Sequence, residues 1–107
     1  MSEEKIAIAS AGDSRMYEVS DQAARCPYYL IFDRSGSLLE VIDNPCKDMA
    51  GPAASQAAQL LAGKNVKTMI AEKFGNKMTR ELEDNGVCYI QLSGKVEKAL
   101  KRVLSRR

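Results

Sequence analysis

Three glycine-centred turns in this sequence are suited to holding an anion. Gly12 follows a short apolar run, and Gly51 and Gly75 each lie where a helix is predicted to begin. Glycine lets backbone N–H groups approach a ligand closely, and the free N–H groups of a helix N-terminus attract negative charge. The cationic residues near these turns are Arg15, Arg25, Lys73 and Lys77. The pattern favours an anionic ligand, although glycine is also an ordinary turn residue at such positions.

The three cysteines, Cys26, Cys46 and Cys88, form no metal-binding motif. Their number is odd, which excludes a full disulfide framework, and no C-x-x-C pair is present. A zinc or iron–sulfur cage built by one chain is therefore not expected. Cys88 lies inside a predicted strand and is expected to be a small core residue. Cys26 begins a strand and Cys46 lies in a loop, so each is either a site residue or a plain packing thiol.

The residue that most often activates a nucleophile is missing. The chain contains no histidine, the commonest general base and metal ligand. Serine–histidine and cysteine–histidine pairs are therefore impossible, and neither a P-loop nor G-x-G-x-x-G is present. These residues give no support for nucleophilic catalysis.

Periodicity and turn residues divide the chain into eight elements. Strands are predicted at 5–10, 27–33, 38–43, 66–71 and 87–92. Helices are predicted at 53–62, after Pro52 and before Gly63, and at 76–84. Ser93 is expected to cap a last helix that carries an apolar stripe, Val96, Ala99, Leu100, Val103 and Leu104.

The element order β-β-β-α-β-α-β-α predicts an α/β fold. Residues 41–78 have the size of a βαβ unit, in which a helix connects parallel strands. The hairpin-rich first half then adds antiparallel strands. We therefore expect a single domain, residues 1–107, with a ribonuclease-H-like mixed five-stranded sheet and helices on its faces. Loops 11–25, 44–52 and 72–77 should meet at the carboxyl ends of the strands, where such sheets bind ligands.

A rival interpretation comes from the aspartates near strand ends, Asp13, Asp33 and Asp43. On a ribonuclease-H-like sheet, clustered carboxylates hold two Mg²⁺ ions for phosphodiester cleavage. That geometry needs a carboxylate within the first strand, and residues 6–9 offer none. The pattern favours turn residues over a nuclease.

Charge and hydropathy limit the partners. The net charge of +2 is too small to indicate nucleic-acid binding, and the basic residues of the last helix are typical of a solvated helix end. No segment approaches the roughly 18 apolar residues that span a bilayer, and the N-terminus is polar. A cytoplasmic location with no membrane partner is expected.

Motifs along nearly the whole chain resemble the dinitrogenase iron–molybdenum cofactor biosynthesis family. They are KIAIAS, VSDQAARCPYYLIFD, VIDNP, GPAASQAAQLLAGKNVKTMIA, FGNKM and ELEDNGVCYI. The resemblance implies a ribonuclease-H-like fold without nuclease activity. It also implies a carrier, and not an enzyme, that holds a molybdenum-containing metal–sulfur cluster, either a molybdenum–copper sulfide or an iron–molybdenum precursor. The cluster would be bound mainly non-covalently and exchanged with donor or acceptor proteins by a monomer or weak dimer.

The resemblance also implies a cluster site and two departures from the family pattern. The site would use the residues Ser10, Gly12, Arg25, Asn44, Met49, Gly51, Lys73, Phe74, Gly75 and Lys77. Cys26 or Cys46 would add a soft thiolate for copper or iron. Gln22 stands where many relatives have histidine, and Glu72 where relatives often have glycine. The missing imidazole leaves open a regulatory module that keeps the fold without the cluster.

Overall fold

The computed structural model describes residues 4–48 and 53–105, which fold as a mixed sheet with helices on both faces. The eight elements are β1 (Lys5–Ser10), β2 (Tyr28–Phe32), β3 (Leu38–Asp43), α1 (Ala53–Gly63), β4 (Val66–Ala71), α2 (Asn76–Asp84), β5 (Cys88–Gln91) and α3 (Val96–Leu104). Both the predicted order and the predicted fold class are confirmed. The predictions for Met49, Gly51 and Pro52 lie outside the described residues.

The sheet has the order β3-β2-β1-β4-β5. Strands β1, β2 and β3 pair antiparallel, whereas β4 pairs parallel with both β1 and β5. Strands β3 and β4 are therefore parallel, as the βαβ pattern predicts, but β2 and β1 lie between them. The connection through α1 consequently crosses two strands. The parallel neighbours joined by a helix are β4 and β5, which α2 connects.

Alternation along the strands builds a core on each face of the sheet. On one face Ala7, Ala9 and Met69 belong to the same buried cluster as Ala57 and Ala58 of α1, together with residues of α2. On the other face Ile6, Ile8, Leu30, Phe32 and Ile70 cluster with the apolar stripe of α3. Alanine on both the strand and the helix lets α1 lie close to the sheet, since little side chain separates the two backbones.

The start of α3 differs from the prediction because backbone groups cap it. The helix begins at Val96 after Lys95, and no side chain caps it, so the predicted cap at Ser93 is wrong. The N–H groups of Val96 and Glu97 donate instead to the carbonyl oxygens of Tyr17 and Arg15, at 2.9 and 3.1 Å. The first part of the long loop after β1, residues 11–19, is therefore a structural arm that holds α3.

Candidate functional site

A cavity of about 560 Å³ opens at one end of the sheet. This is the end at which strands β1, β3, β4 and β5 have their carboxyl ends. Three segments form its wall: the turn at residues 21–25, the first turn of α1, and the segment that leads into α2. The lining residues are Asp21, Gln22, Ala23, Ala24, Arg25, Ala53, Ala54, Ser55, Lys73, Gly75, Lys77, Met78, Arg80 and Glu81. The volume is typical of a small-molecule or cofactor site.

Two helix N-termini converge on this cavity. Ala53, Ala54 and Ser55 are the first described residues of α1, and Gly75 is the N-cap of α2. Neither helix has an acidic residue in its first turn, and no side chain caps α2. The first internal hydrogen bond of α2 is donated by Thr79 to Gly75, at 3.0 Å. The N–H groups of residues 76–78 thus have no acceptor in the part of the chain that the structure describes, and both helix dipoles point their positive ends at the cavity.

The charges that line the cavity favour an anion. Its cationic side chains are those of Arg25, Lys73, Lys77 and Arg80. Only two acidic side chains, those of Asp21 and Glu81, accompany them in the lining. Lys73, Lys77 and Arg80 take part in none of the ion pairs between described residues. A ligand with several negative charges would therefore meet three cations, those of Lys73, Lys77 and Arg80, that no carboxylate of the described residues neutralises in a salt bridge.

Four of the predicted site residues line the cavity: Arg25, Lys73, Gly75 and Lys77. Sequence reasoning missed Arg80, which lies three residues after Lys77 and so occupies the same side of α2. It also missed the apolar part of the lining, Ala23, Ala24, Ala53, Ala54 and Met78. Helical spacing was the available signal for Arg80, whereas the alanines had no signal beyond their position in the motif blocks.

Ser10 and Gly12 are used inside the loop after β1. The Ser10 hydroxyl, fully buried, donates to the carbonyl of Gly12 at 2.7 Å and accepts from the Gly12 N–H at 3.2 Å. A β-carbon on Gly12 would lie 2.3 Å from ring carbons of Tyr17. Glycine is needed here because an aromatic ring covers the backbone, and neither residue lines the cavity.

Asn44 and Phe74 are also predicted site residues that the structure places outside the cavity lining. Asn44 is buried, with its side-chain amide donating to carbonyl oxygens of the turn before β2. Phe74 packs on Tyr89 with ring centroids 5.2 Å apart and contacts the core below α1 and α2. Asn44 thus holds the turn that lines the cavity, and Phe74 packs the segment before α2 against β5.

The cysteines also lie outside the cavity lining. Cys26 and Cys46 are buried, and desolvation raises the pKa of each thiol, to about 12 for Cys26. A neutral buried thiol is a poor metal ligand, because the thiolate is the form that binds metal. Cys88 is exposed, so its predicted core position is wrong: β5 is an edge strand, and its first residue lacks a covering layer. Within the described residues, no three cysteine or carboxylate side chains form a metal-binding group.

The raised pKa of Cys26 predicts a loss of stability at alkaline pH. The ordinary value is 9.0 and the folded value about 12, so the folded protein retains a proton that the unfolded chain has lost between these limits. The free energy of unfolding should therefore fall with rising pH, by up to about 1.4 kcal/mol per pH unit for this thiol. The buried hydroxyl of Tyr29, whose pKa desolvation also raises, adds to the slope above its ordinary value of 10.0.

Urea unfolding at a series of pH values from about 7 to 11 measures this slope. The variant Cys26→Ala should show a shallower slope, whereas Cys88→Ala, which removes an exposed thiol, should match the wild type. Equal slopes in wild type and Cys26→Ala would show that the buried thiol does not carry the effect.

The three aspartates of the rival interpretation are not brought together. Strand β2 runs opposite to β1 and β3, so Asp33 lies at the far end of the sheet from Asp13 and Asp43. The Asp33 carboxylate accepts a hydrogen bond from the Ser35 hydroxyl at 2.6 Å, which is the main cause of its lowered pKa, and further bonds from the backbone N–H groups of Ser35 and Ser37. Asp43 pairs with Lys47 at 2.7 Å. The turn role that the sequence favours accounts for Asp33.

The chain belongs to the dinitrogenase iron–molybdenum cofactor family, whose sequence profile matches residues 4–106. The family resemblance predicted from the motifs is thereby confirmed. Membership supports a role in binding or carrying a metal cluster. No curated protein matches the sequence.

Solved structures share the fold over nearly the whole chain. The apo form of the orange protein from Desulfovibrio gigas superposes with a TM-score of 0.88 at 24% identity, covering 97% of this chain and 89% of that one. A Thermotoga protein described as a NifB candidate superposes with a TM-score of 0.82 at 31% identity, covering 97% of this chain and 90% of that one. A Methanocaldococcus jannaschii protein described as a candidate dinitrogenase superposes with a TM-score of 0.69 at 17% identity, covering 98% of this chain and 91% of that one. Among the described residues, no helix combines the length and apolar character needed to cross a membrane.

Proposed function

We propose that this protein binds, stores or transfers an anionic metal–sulfur cluster that contains molybdenum together with iron or copper, and that it catalyses no reaction. One observation carries the proposal: two helix N-termini and four cationic side chains surround a single cavity of about 560 Å³. The family is named for an iron–molybdenum cofactor, and the orange protein structure is described as an apo form. The family name supports the choice of cargo, and the apo form supports a protein of this fold that exists with and without a bound group.

The chemistry of the lining fits a soft, multiply charged anion. Backbone N–H groups of the first turn of α2 are directed donors for sulfide or oxide atoms at the surface of a cluster. The side chains of Lys73, Lys77 and Arg80 supply positive charge. The methyl groups of the alanines offer an apolar contact for a ligand that is weakly hydrated. A cluster delivered with its own sulfides needs no cysteine ligand, in keeping with the position of the thiols outside the lining.

Binding and release would then be governed by charge and shape. Hydrogen bonds and Coulomb attraction are reversible and weaken with ionic strength, which suits a protein that receives a cluster from one partner and passes it to another. We propose cluster-donating and cluster-accepting proteins of the cytoplasm as those partners.

Titration of the apoprotein with tetrathiomolybdate and copper, monitored by visible absorption and amide chemical shifts, tests the proposal. We expect a new charge-transfer band and shifts concentrated at residues 75–78. The variant Gly75→Ala should fold as the wild type does, because its added methyl group would meet no atom within 4 Å. It should bind the cluster more weakly, because Gly75 lines the cavity and the methyl group would occupy space that the ligand needs. Absence of binding to this cluster and to iron–molybdenum precursors would refute the cargo and favour a regulatory module.

A further inference from the structure

Two buried side chains hold the carbonyl groups of the turn that borders the cavity. The Tyr29 hydroxyl donates to the carbonyl oxygen of Ala23 at 2.5 Å. The side-chain amide of Asn44 donates to the carbonyl oxygens of Ala24 at 3.0 Å and Cys26 at 2.8 Å. Tyr29 is fully buried and Asn44 is 1% exposed, and neither lines the cavity. These three bonds draw the carbonyl groups of Ala23, Ala24 and Cys26 towards the interior.

The opposite side of each of these peptide groups must then face away from the interior. In a trans peptide the C=O and N–H groups point in opposite directions, and no cis peptide occurs among the described residues. The inward carbonyl of Ala23 therefore turns the N–H of Ala24 outwards, and the inward carbonyl of Ala24 does the same for the N–H of Arg25. Ala23, Ala24 and Arg25 all line the cavity. The N–H of Ala24 has no acceptor among the described residues.

We propose that Tyr29 is a positioning residue that aims the backbone N–H group of Ala24 at the anionic ligand, with Asn44 fixing the next carbonyl group of the same turn. This inference rests on the proposed function and adds to it a donor on a second wall of the cavity. The turn at residues 21–25 and the N-terminus of α2 line the same cavity. The ligand would thus be an anion with several acceptor atoms, bridging N–H donors on two walls of the cavity.

The alternative is that the buried hydroxyl and amide serve only to hold the fold together. The two roles differ in one respect: a purely structural role predicts that affinity follows overall stability, whereas a positioning role predicts a specific loss at Ala24. The variant Tyr29→Phe separates them, because it keeps the buried ring and removes the hydroxyl, which leaves the Ala23 carbonyl with only the weaker contact from the Cys26 thiol at 3.9 Å among the described residues.

Wild type and Tyr29→Phe are titrated with tetrathiomolybdate, and amide shifts are followed by ¹⁵N NMR under conditions where both proteins are fully folded. In wild type we expect ligand-induced shifts at Ala24 as well as at residues 76–78. In Tyr29→Phe we expect the shift at Ala24 to be lost and the affinity to fall by about tenfold, the size of one hydrogen bond to a charged group. Shifts at residues 76–78 should persist, since the donors of α2 are untouched.

Two controls isolate the effect. Ile8→Val lowers stability through the core on the α3 face of the sheet, without altering a group that holds the turn. Tyr28→Phe removes a neighbouring hydroxyl that makes no hydrogen bond with a described residue. Both should bind tetrathiomolybdate as wild type does.

The outcomes distinguish this inference from the proposed function. Binding by wild type with shifts at residues 76–78 but none at Ala24 would overturn the positioning role and leave the carrier role standing. Equal affinity and an equal Ala24 shift in Tyr29→Phe would also overturn it. A loss of affinity in Ile8→Val as large as that in Tyr29→Phe would show a structural role only. No binding by wild type to tetrathiomolybdate or to any other cluster precursor would overturn both.

Discussion

Replacing Lys73, Lys77 and Arg80 together by glutamine is expected to weaken binding of a molybdenum–copper sulfide cluster by about 100-fold. Each of these cations lines the cavity, and each contributes about 1 kcal/mol of attraction to an anion a few ångströms away at a solvated site. The folded structure should be unaffected, because none of the three forms an ion pair with a described residue. Titration with the cluster, followed by visible absorption, measures the loss of affinity. The affinity of the variant should also depend less on salt concentration than that of the wild type.

A matched control lies on the other face of the sheet. Lys98→Gln, Lys101→Gln and Arg102→Gln, combined in one protein, also replace two exposed lysines and one arginine, but on α3. This variant has the same net charge as the first and should keep nearly all of its affinity. If the two variants lose affinity equally, the attraction comes from the overall charge of the protein and the cavity is not the site.

Replacing Asn44 by alanine is expected to lower the free energy of unfolding by about 3 kcal/mol or more. The Asn44 amide donates to two carbonyl groups, and its oxygen accepts from the N–H of Cys46 at 2.9 Å. Removing the side chain leaves three backbone groups without this partner, two of them in buried hydrogen bonds and one in a part-buried bond, and each costs about 1–3 kcal/mol when water cannot replace it. Chemical denaturation with a two-state fit measures the change.

Asn85→Ala is the comparison for this variant. The Asn85 side chain makes one hydrogen bond, to the Glu81 carbonyl at 2.8 Å at the partly exposed end of α2. Water can replace that bond, so the loss should be about 1 kcal/mol or less. A similar small loss at Asn44 would mean that the turn before β2 relaxes and finds other partners.

The fold was predictable because local patterns and global topology agree. The apolar runs that became β1, β3 and β4 have the predicted bounds, and so does α2 between Gly75 and Asn85. What local pattern cannot supply is the neighbour of each strand. The run of residues 41–78 predicts parallel strands around a helix, yet β1 occupies the place next to β4. Strand pairing depends on contacts far apart in sequence, which periodicity does not encode.

Part of the lining of the candidate site was predictable from the sequence. Whether a residue was predicted correctly depends on how local its chemical signal is. Charge and helix-start signals are local, so Arg25, Lys73, Gly75 and Lys77 were identified as candidates and do line the cavity. Ser10 and Asn44 have the same polar side chains as ligand-binding residues but are buried against backbone groups. Sequence reveals that a residue can form hydrogen bonds, but only the fold decides whether its partner is a ligand or the protein's own main chain.

The arm that caps α3 has a consequence for how the protein is made. Its carbonyl groups at Arg15 and Tyr17 are synthesised before all the strands other than β1, whereas their partners, the N–H groups of Val96 and Glu97, follow the last strand, β5. The carbonyl groups of the turn at the cavity, by contrast, are held by Tyr29 and Asn44, which follow within the next two strands. One continuous loop thus has a cavity end whose hydrogen-bond partners follow it closely in synthesis and an arm whose partners follow only after all five strands. A ribosome-bound chain stalled before α3 would hold the first without the second.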